Sequence, residues 1–168
     1  MRTSLFTLAL CLFCTVAIAQ NNTHNKFGLT WQLPATWVLS PEKNTDTRFY
    51  AYPNSGGTGA MDIRALGKNE NPAEATVNFM KETSIDPSFI KDTEPKKVKS
   101  GKLLMQVFEK DALDMKLSDG TDIYRNQKLI LLSTQKGEKY ILFLVEVYQK
   151  PAKHTKAIEN AVKTLKVK

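Results

Sequence analysis

A chain of 168 residues with 42% apolar, 24% charged and 9% aromatic residues has ordinary globular proportions. Such a composition excludes disorder, collagen or coiled coil as a description of the whole, and the length fits one domain. Lys and Arg number 24 against 17 Asp and Glu, a formal charge of +7, which leaves room for an acidic partner or an anionic envelope surface.

The first nineteen residues read as a secretory signal peptide. Met1-Arg2-Thr3-Ser4 carries one positive side chain, Leu5 to Val16 is mostly apolar, and Ala17-Ile18-Ala19 offers small residues for cleavage before Gln20. Twelve helical residues rise about 18 Å, short of a hydrocarbon core of about 30 Å, so no transmembrane span is expected in the mature chain. Leu10 precedes Cys11 and Phe13 precedes Cys14, where lipidation needs a small residue. Cleavage removes both cysteines, so disulfides, iron–sulfur ligation and a Cys nucleophile are excluded from the mature protein. The remaining basic residues are 20 Lys with Arg48, Arg64 and Arg125. Base and phosphate readers lean on the planar fork of Arg, so nucleic acid is not an expected partner.

Residues 20–26 are polar without a period and read as a flexible leader. Phe27, Leu29, Trp31 and Leu33 alternate with Gly28, Thr30 and Gln32, the period of a half-buried strand that Pro34 ends. Thr47 to Tyr52 reads as a second strand, with Phe49 and Ala51 opposite Tyr50 and Tyr52. Pro53 to Gly59 is a turn region, and Ala60 to Leu66 a third strand. Asn71 then caps a helix running from about Pro72 to Thr83 with Thr76, Phe79, Met80 and Thr83 on one stripe; Asp86-Pro87 stops it. Residues 84–101 read as a connection with room for one short helical turn.

Lys102 to Glu109, continuing toward Met115, reads as a strand, Asp119-Gly120 as a turn, and Ile123 to Thr134 as the next strand. Lys136-Gly137 turns into a last strand, Glu138 to Tyr148. Leu129–Leu132 and Ile141–Val145 are apolar at every position, which calls for cover on both faces and a central place in the sheet. Pro151 opens a final helix with Ala157, Ile158, Ala161, Val162 and Leu165 on its apolar stripe. The order β-β-β-α-β-β-β-α with hairpin-length links predicts one α+β domain over residues 27–168.

A Phe-containing first strand ending in Leu33-Pro34-Ala35-Thr36-Trp37, followed by this element order over about residues 27–166, resembles the PsbP-like superfamily. The resemblance implies an α/β/α sandwich around a mostly antiparallel central sheet of about six strands. It also implies a non-enzymatic binding or assembly role, and it transfers no catalytic residue.

Chemistry-bearing motifs are sparse. His24 falls in the leader and His154 in the last helix, and two His without Cys do not compose a zinc or copper site. Gly56-Gly57-Thr58-Gly59 leads into a strand, whereas phosphate-cradling loops lead into a helix. Glu109, Asp111, Asp114, Asp119 and Asp122 leave a hydrolase or a Ca²⁺ site as the alternative, but they miss the EF-hand spacing and period two splits them between sheet faces, so a solvated strand end and turn is the favoured account. No catalytic, cofactor-binding or metal residue is assigned, and no cofactor is expected. The candidate partner surface is Trp31, Trp37, Tyr50 and Tyr52, which core packing competes to claim, together with the basic run Lys96, Lys97, Lys99 and Lys102. The expected partner is an unidentified protein or an anionic envelope component. N-terminal sequencing of the exported protein should begin at Gln20; a product retaining Met1 or carrying lipid on a cysteine would refute the signal-peptide reading.

Overall fold

The apolar runs at 129–132 and 141–145 form neighbouring inner strands of a seven-stranded antiparallel sheet. This is seen in a computed structural model that describes residues 21–54, 59–86, 88–149 and 157–168. The signal segment, the 55–58 part of the glycine loop, Pro87, Pro151 and His154 lie outside the described residues.

The strands are β1 (Asn21–Lys26), β2 (Leu29–Pro34), β3 (Trp37–Leu39), β4 (Arg48–Pro53), β5 (Gly59–Ala65), β6 (Lys96–Ser100), β7 (Leu103–Lys116), β8 (Asp122–Thr134), β9 (Lys139–Gln149) and β10 (Lys166–Val167). The helices are α1 (Pro72–Glu82), α2 (Ser88–Lys91) and α3 (Ala157–Thr164). The large sheet has the order β3-β4-β5-β9-β8-β7-β6, and β1-β2-β10 form a second sheet.

Each face of the large sheet carries its own core. On one, Leu142 and Leu144 of β9 and Ile130 and Leu132 of β8 pack beneath Leu29, Trp31 and Leu33 of β2 and Ala161 of α3. On the other, Ile141, Phe143, Leu129 and Phe108 meet Phe79 and Met80 of α1 and Phe89 of α2. The expected α/β/α sandwich is therefore corrected. One outer layer is helical, and the other is a three-stranded sheet with a helix beside it.

Four strands lie beyond the expected pattern. Residues 21–26, read as a leader, form β1, paired with β2 from Asn21↔Pro34 to Lys26↔Leu29. Residues 96–100, read as connection, form the edge strand β6. Both leave most side chains in water, so neither writes an apolar period. β3 and β10 are three and two residues long. The short helical turn expected in 84–101 is α2.

The β1–β2 link corrects another boundary. Phe27 (φ 56°) and Gly28 (φ 74°) are both left-handed, the requirement of a two-residue type I′ hairpin, so Phe27 turns the chain and does not open the strand. A left-handed Phe is strained. Its carbonyl accepts a 2.7 Å hydrogen bond from the Tyr140 hydroxyl, tying the small sheet to the large one.

Asn71 caps α1 as expected, its Oδ1 accepting from the Ala73 N–H at 3.0 Å. The helix's other end is held by charge. Asp62, 1% exposed, accepts from Arg48 of β4 at 2.6, 3.0 and 3.2 Å. Glu82 of α1 reaches Arg48 at 3.6 Å and Arg64 at 3.8 Å, and Arg64 pairs with Glu70 at 2.7 Å. Burial pushes the Asp62 carboxyl above its ordinary value against the pull of Arg48, and the hydrogen bond to Asp62 raises Arg48.

Phe143 is buried between α1 and the sheet. Truncation to Ala should cost about 3–5 kcal/mol in denaturant melts. A loss under about 1 kcal/mol would mean that the helix layer does not depend on it.

Candidate functional site

The register of the large sheet sets two rows of side chains side by side on its helical face. One runs Lys99, Leu104, Ser133, Lys139 across β6, β7, β8 and β9; the other runs Lys97, Gln106, Leu131, Ile141. Residues two apart on a strand share a face, so both rows point the same way. α1 begins only at Pro72, so its first turn covers one end of these rows and leaves the rest open. The result is a trough of about 500 Å³ lying across the strands, with Leu66, Pro72 and Thr76 along the helix side. Its volume falls within the range of small-molecule sites, about 300–1,000 Å³.

The floor is apolar at Leu104, Leu131 and Ile141, polar at Gln106 and Ser133, and partly wet. Leu104 is 52% exposed, and Leu131 is half-buried. Lys97 and Lys99 stand at the outer end and Lys139 at the inner end, all exposed, and no Asp or Glu lines the trough. A second hollow of about 400 Å³ adjoins it, sharing Leu66, Lys139 and Tyr140 and adding Lys68 and Lys136.

The expected site residues do not assemble into one surface. Trp31 is fully buried beneath the small sheet and Trp37 nearly so, which removes both from any partner surface. The Trp31 indole N–H is buried with no partner among the described residues. Tyr50 and Tyr52 do face outward on β4, with rings 6.2 Å apart, and the Lys43 ammonium lies 4.3 Å from the Tyr50 centroid. They stand five strands from β6, roughly 24 Å at about 4.8 Å per strand. Of the basic run, Lys97 and Lys99 line the trough, Lys96 points to the opposite face of β6, and Lys102 sits in the β6–β7 turn. Sequence reasoning missed Leu104, Leu131 and Lys139. The available signal was Leu103-Leu104-Met105, three apolar residues in succession in a strand with only one well-covered face at that point.

Four of the five carboxylates along β7, β8 and their turn accept hydrogen bonds or pair closely with a cation, and Asp122 Oδ1 is buried with no hydrogen-bond partner among the described residues. Glu109 accepts from Asn126 at 3.1 Å and pairs with Lys128 at 3.2 Å. Burial works to raise its carboxyl, but these bonds outweigh it and hold the group below its ordinary value. Asp111 accepts from the Tyr148 hydroxyl at 2.7 and 2.9 Å; desolvation and this bond push that phenol up to about 12. Asp114 pairs with Arg125 at 2.8 Å, and Asp119 accepts from the Thr121 N–H at 2.8 Å within the turn. Asp122 lies 3.9 Å from Lys116. Among the described residues no three His, Cys, Asp or Glu converge as a metal site.

No family model matches the chain, and no curated protein matches it. Solved structures similar in outline include the following two. One, from Bacteroides thetaiotaomicron, has 18% identity and a TM-score of 0.48, covering 89% of this chain and 49% of the other. The chain therefore spans about half the length of that protein. The other is LpqN of Mycobacterium tuberculosis, described as involved in cell envelope biogenesis, with 13% identity and a TM-score of 0.45, covering 87% of this chain and 89% of LpqN. No helix among the described residues is long and apolar enough to cross a membrane.

His24, expected in a leader, sits half-buried on β1, its ring 6.0 Å from Trp31 and 5.3 Å from Phe49. Burial lowers its pKa from the ordinary 6.5. The unfolded chain then binds the proton more readily, so stability rises with pH and is lost as pH falls below about 6.5 toward the depressed folded value. Urea midpoints between pH 7.5 and 5 should fall less for His24→Gln than for the parent; equal falls would show that His24 does not titrate with unfolding.

Proposed function

We propose that the chain is an exported, non-enzymatic binding or assembly module of the periplasm or extracellular space, and that the trough between α1 and β6 is where it binds. Kinship with the PsbP-like superfamily belongs to the same proposal and rests on element order and the Leu33-Pro34-x-x-Trp37 step. The observation that carries the reading is the trough's composition: a partly exposed apolar floor, lysines at its ends and no acid in its lining. Such a lining removes apolar surface from water when filled and offers positive charge to orient a ligand. General acid–base work falls most often to His, Asp or Glu, and none of these lines the trough. Of the carboxylates weighed for hydrolysis or Ca²⁺ binding, Glu109, Asp111, Asp114 and Asp119 each have a close donor or cation of this chain, and Asp122 has Lys116 at 3.9 Å.

The neutral dye Nile red tests the site without invoking charge. It should bind the mature protein with a fluorescence gain and bind Leu104→Glu at least tenfold more weakly. Leu104 is already half in water, so this variant should keep the parent's melting temperature. Undiminished binding by the variant would move the site elsewhere. Ester or phosphoester turnover that disappears in an Asp119→Asn, Asp122→Asn double variant would replace the binding reading with a hydrolytic one.

A further inference from the structure

We infer that the trough takes a small, elongated molecule with an apolar middle and an anionic group at each end. This rests on the binding role proposed above and adds the chemistry of the ligand. Lys99 and Lys139 terminate one cross-strand row, three strand spacings apart, a backbone separation of about 14 Å. Between them lie Leu104 and Ser133, and in the parallel row Gln106 and Leu131. Positive charge thus stands at both ends of the trough, and the apolar surface of Leu104 and Leu131 lies between them, with Ser133 and Gln106 as polar neighbours.

Each end is reinforced. Lys97 stands beside Lys99 on the same face of β6, and Lys68 and Lys136 line the hollow next to Lys139, where two added cations outnumber the one acid, Glu138. Among the described residues none of Lys97, Lys99 and Lys139 is paired with a carboxylate, so the charge is available to a ligand. A molecule charged at one end only would leave one lysine group unused; a neutral one would leave both. The direction of the trough argues for a small molecule over an added peptide strand. A peptide pairing with β6 would run along that edge, at right angles to the trough, and would not reach Lys139.

Decanedioate, decanoate and decane-1,10-diol share one chain length and differ in charged ends, so calorimetric titration of the mature protein at low salt separates the terms. Exposed ion pairs are worth up to about a fivefold change each. Decanedioate should bind about fivefold tighter than decanoate, and decanoate about fivefold tighter than the diol. Lys97→Gln with Lys99→Gln should bring the dianion down to the parent's affinity for decanoate, and Lys139→Gln with Lys136→Gln should do the same from the other end. These side chains are in water, so melting temperatures should not move. Equal affinities for the dianion and monoanion, or dianion binding that ignores both double variants, would overturn the inference and leave the binding role standing if Nile red still binds. Failure of Nile red and all three ligands would overturn the binding role itself. A concentration-dependent dimer in sedimentation, lost in Leu104→Glu, would assign the trough to a second copy of the chain and overturn the small-molecule inference.

Discussion

Strand β9 is the constraint around which the molecule is arranged. Its backbone is bonded on both sides, to β5 and β8, and its side chains from Tyr140 to Leu144 are buried on both faces. A strand in that position needs two separate covers, and the rest of the chain supplies them. β2 with α3 closes one face, and α1 with α2 closes the other. The cover given by β2 is pinned at its hairpin, where a strained left-handed Phe27 is held through its carbonyl by the hydroxyl of Tyr140 on β9 itself.

The trough is what remains where the helical cover stops. α1 is fixed at its start by the Asn71 cap and at its end by the Glu82 contacts to Arg48 and Arg64, so it cannot slide to cover Leu104 and Leu131 without giving up one or the other. Losing a cap costs about 1 kcal/mol. The contacts of the exposed Glu82, at 3.6 and 3.8 Å, add less than about 1 kcal/mol each. The opening is floored by the paired strands β6, β7, β8 and β9.

How much of this was legible follows from which residues face a core. Met61 and Ile63 opposite Asp62 and Arg64, the Phe79–Met80 stripe and the run through Phe143 all announce burial, and the elements they predict are present with boundaries close to those expected. The polar strands β1 and β6 were not legible. Their strand state comes from main-chain bonds to a neighbour, which leave no trace in side-chain pattern. The site was half legible. Lys97 and Lys99 stood out as charge, but Lys139 is 40 residues beyond Lys99 and joins it only through the registers of three ladders. Trp31 on β2 and Trp37 on β3 drew attention as large aromatics, and their burial between the two sheets depends on a second sheet whose first strand carried no signal.

The position of β6 has a bearing on how copies of this protein behave toward one another. β6 ends the large sheet, and its outer main-chain groups face no strand among the described residues. With Val98 in water beside them, such an edge is a template on which a second sheet can grow. Three lysines in five residues oppose that growth, since two copies meeting edge to edge would bring six ammonium groups together. The charges offered to a ligand at the trough are thus among those that keep the sheet finite. Conditions that mute them, such as concentrated salt or lysine acylation, would act on colloidal stability as well as on recognition.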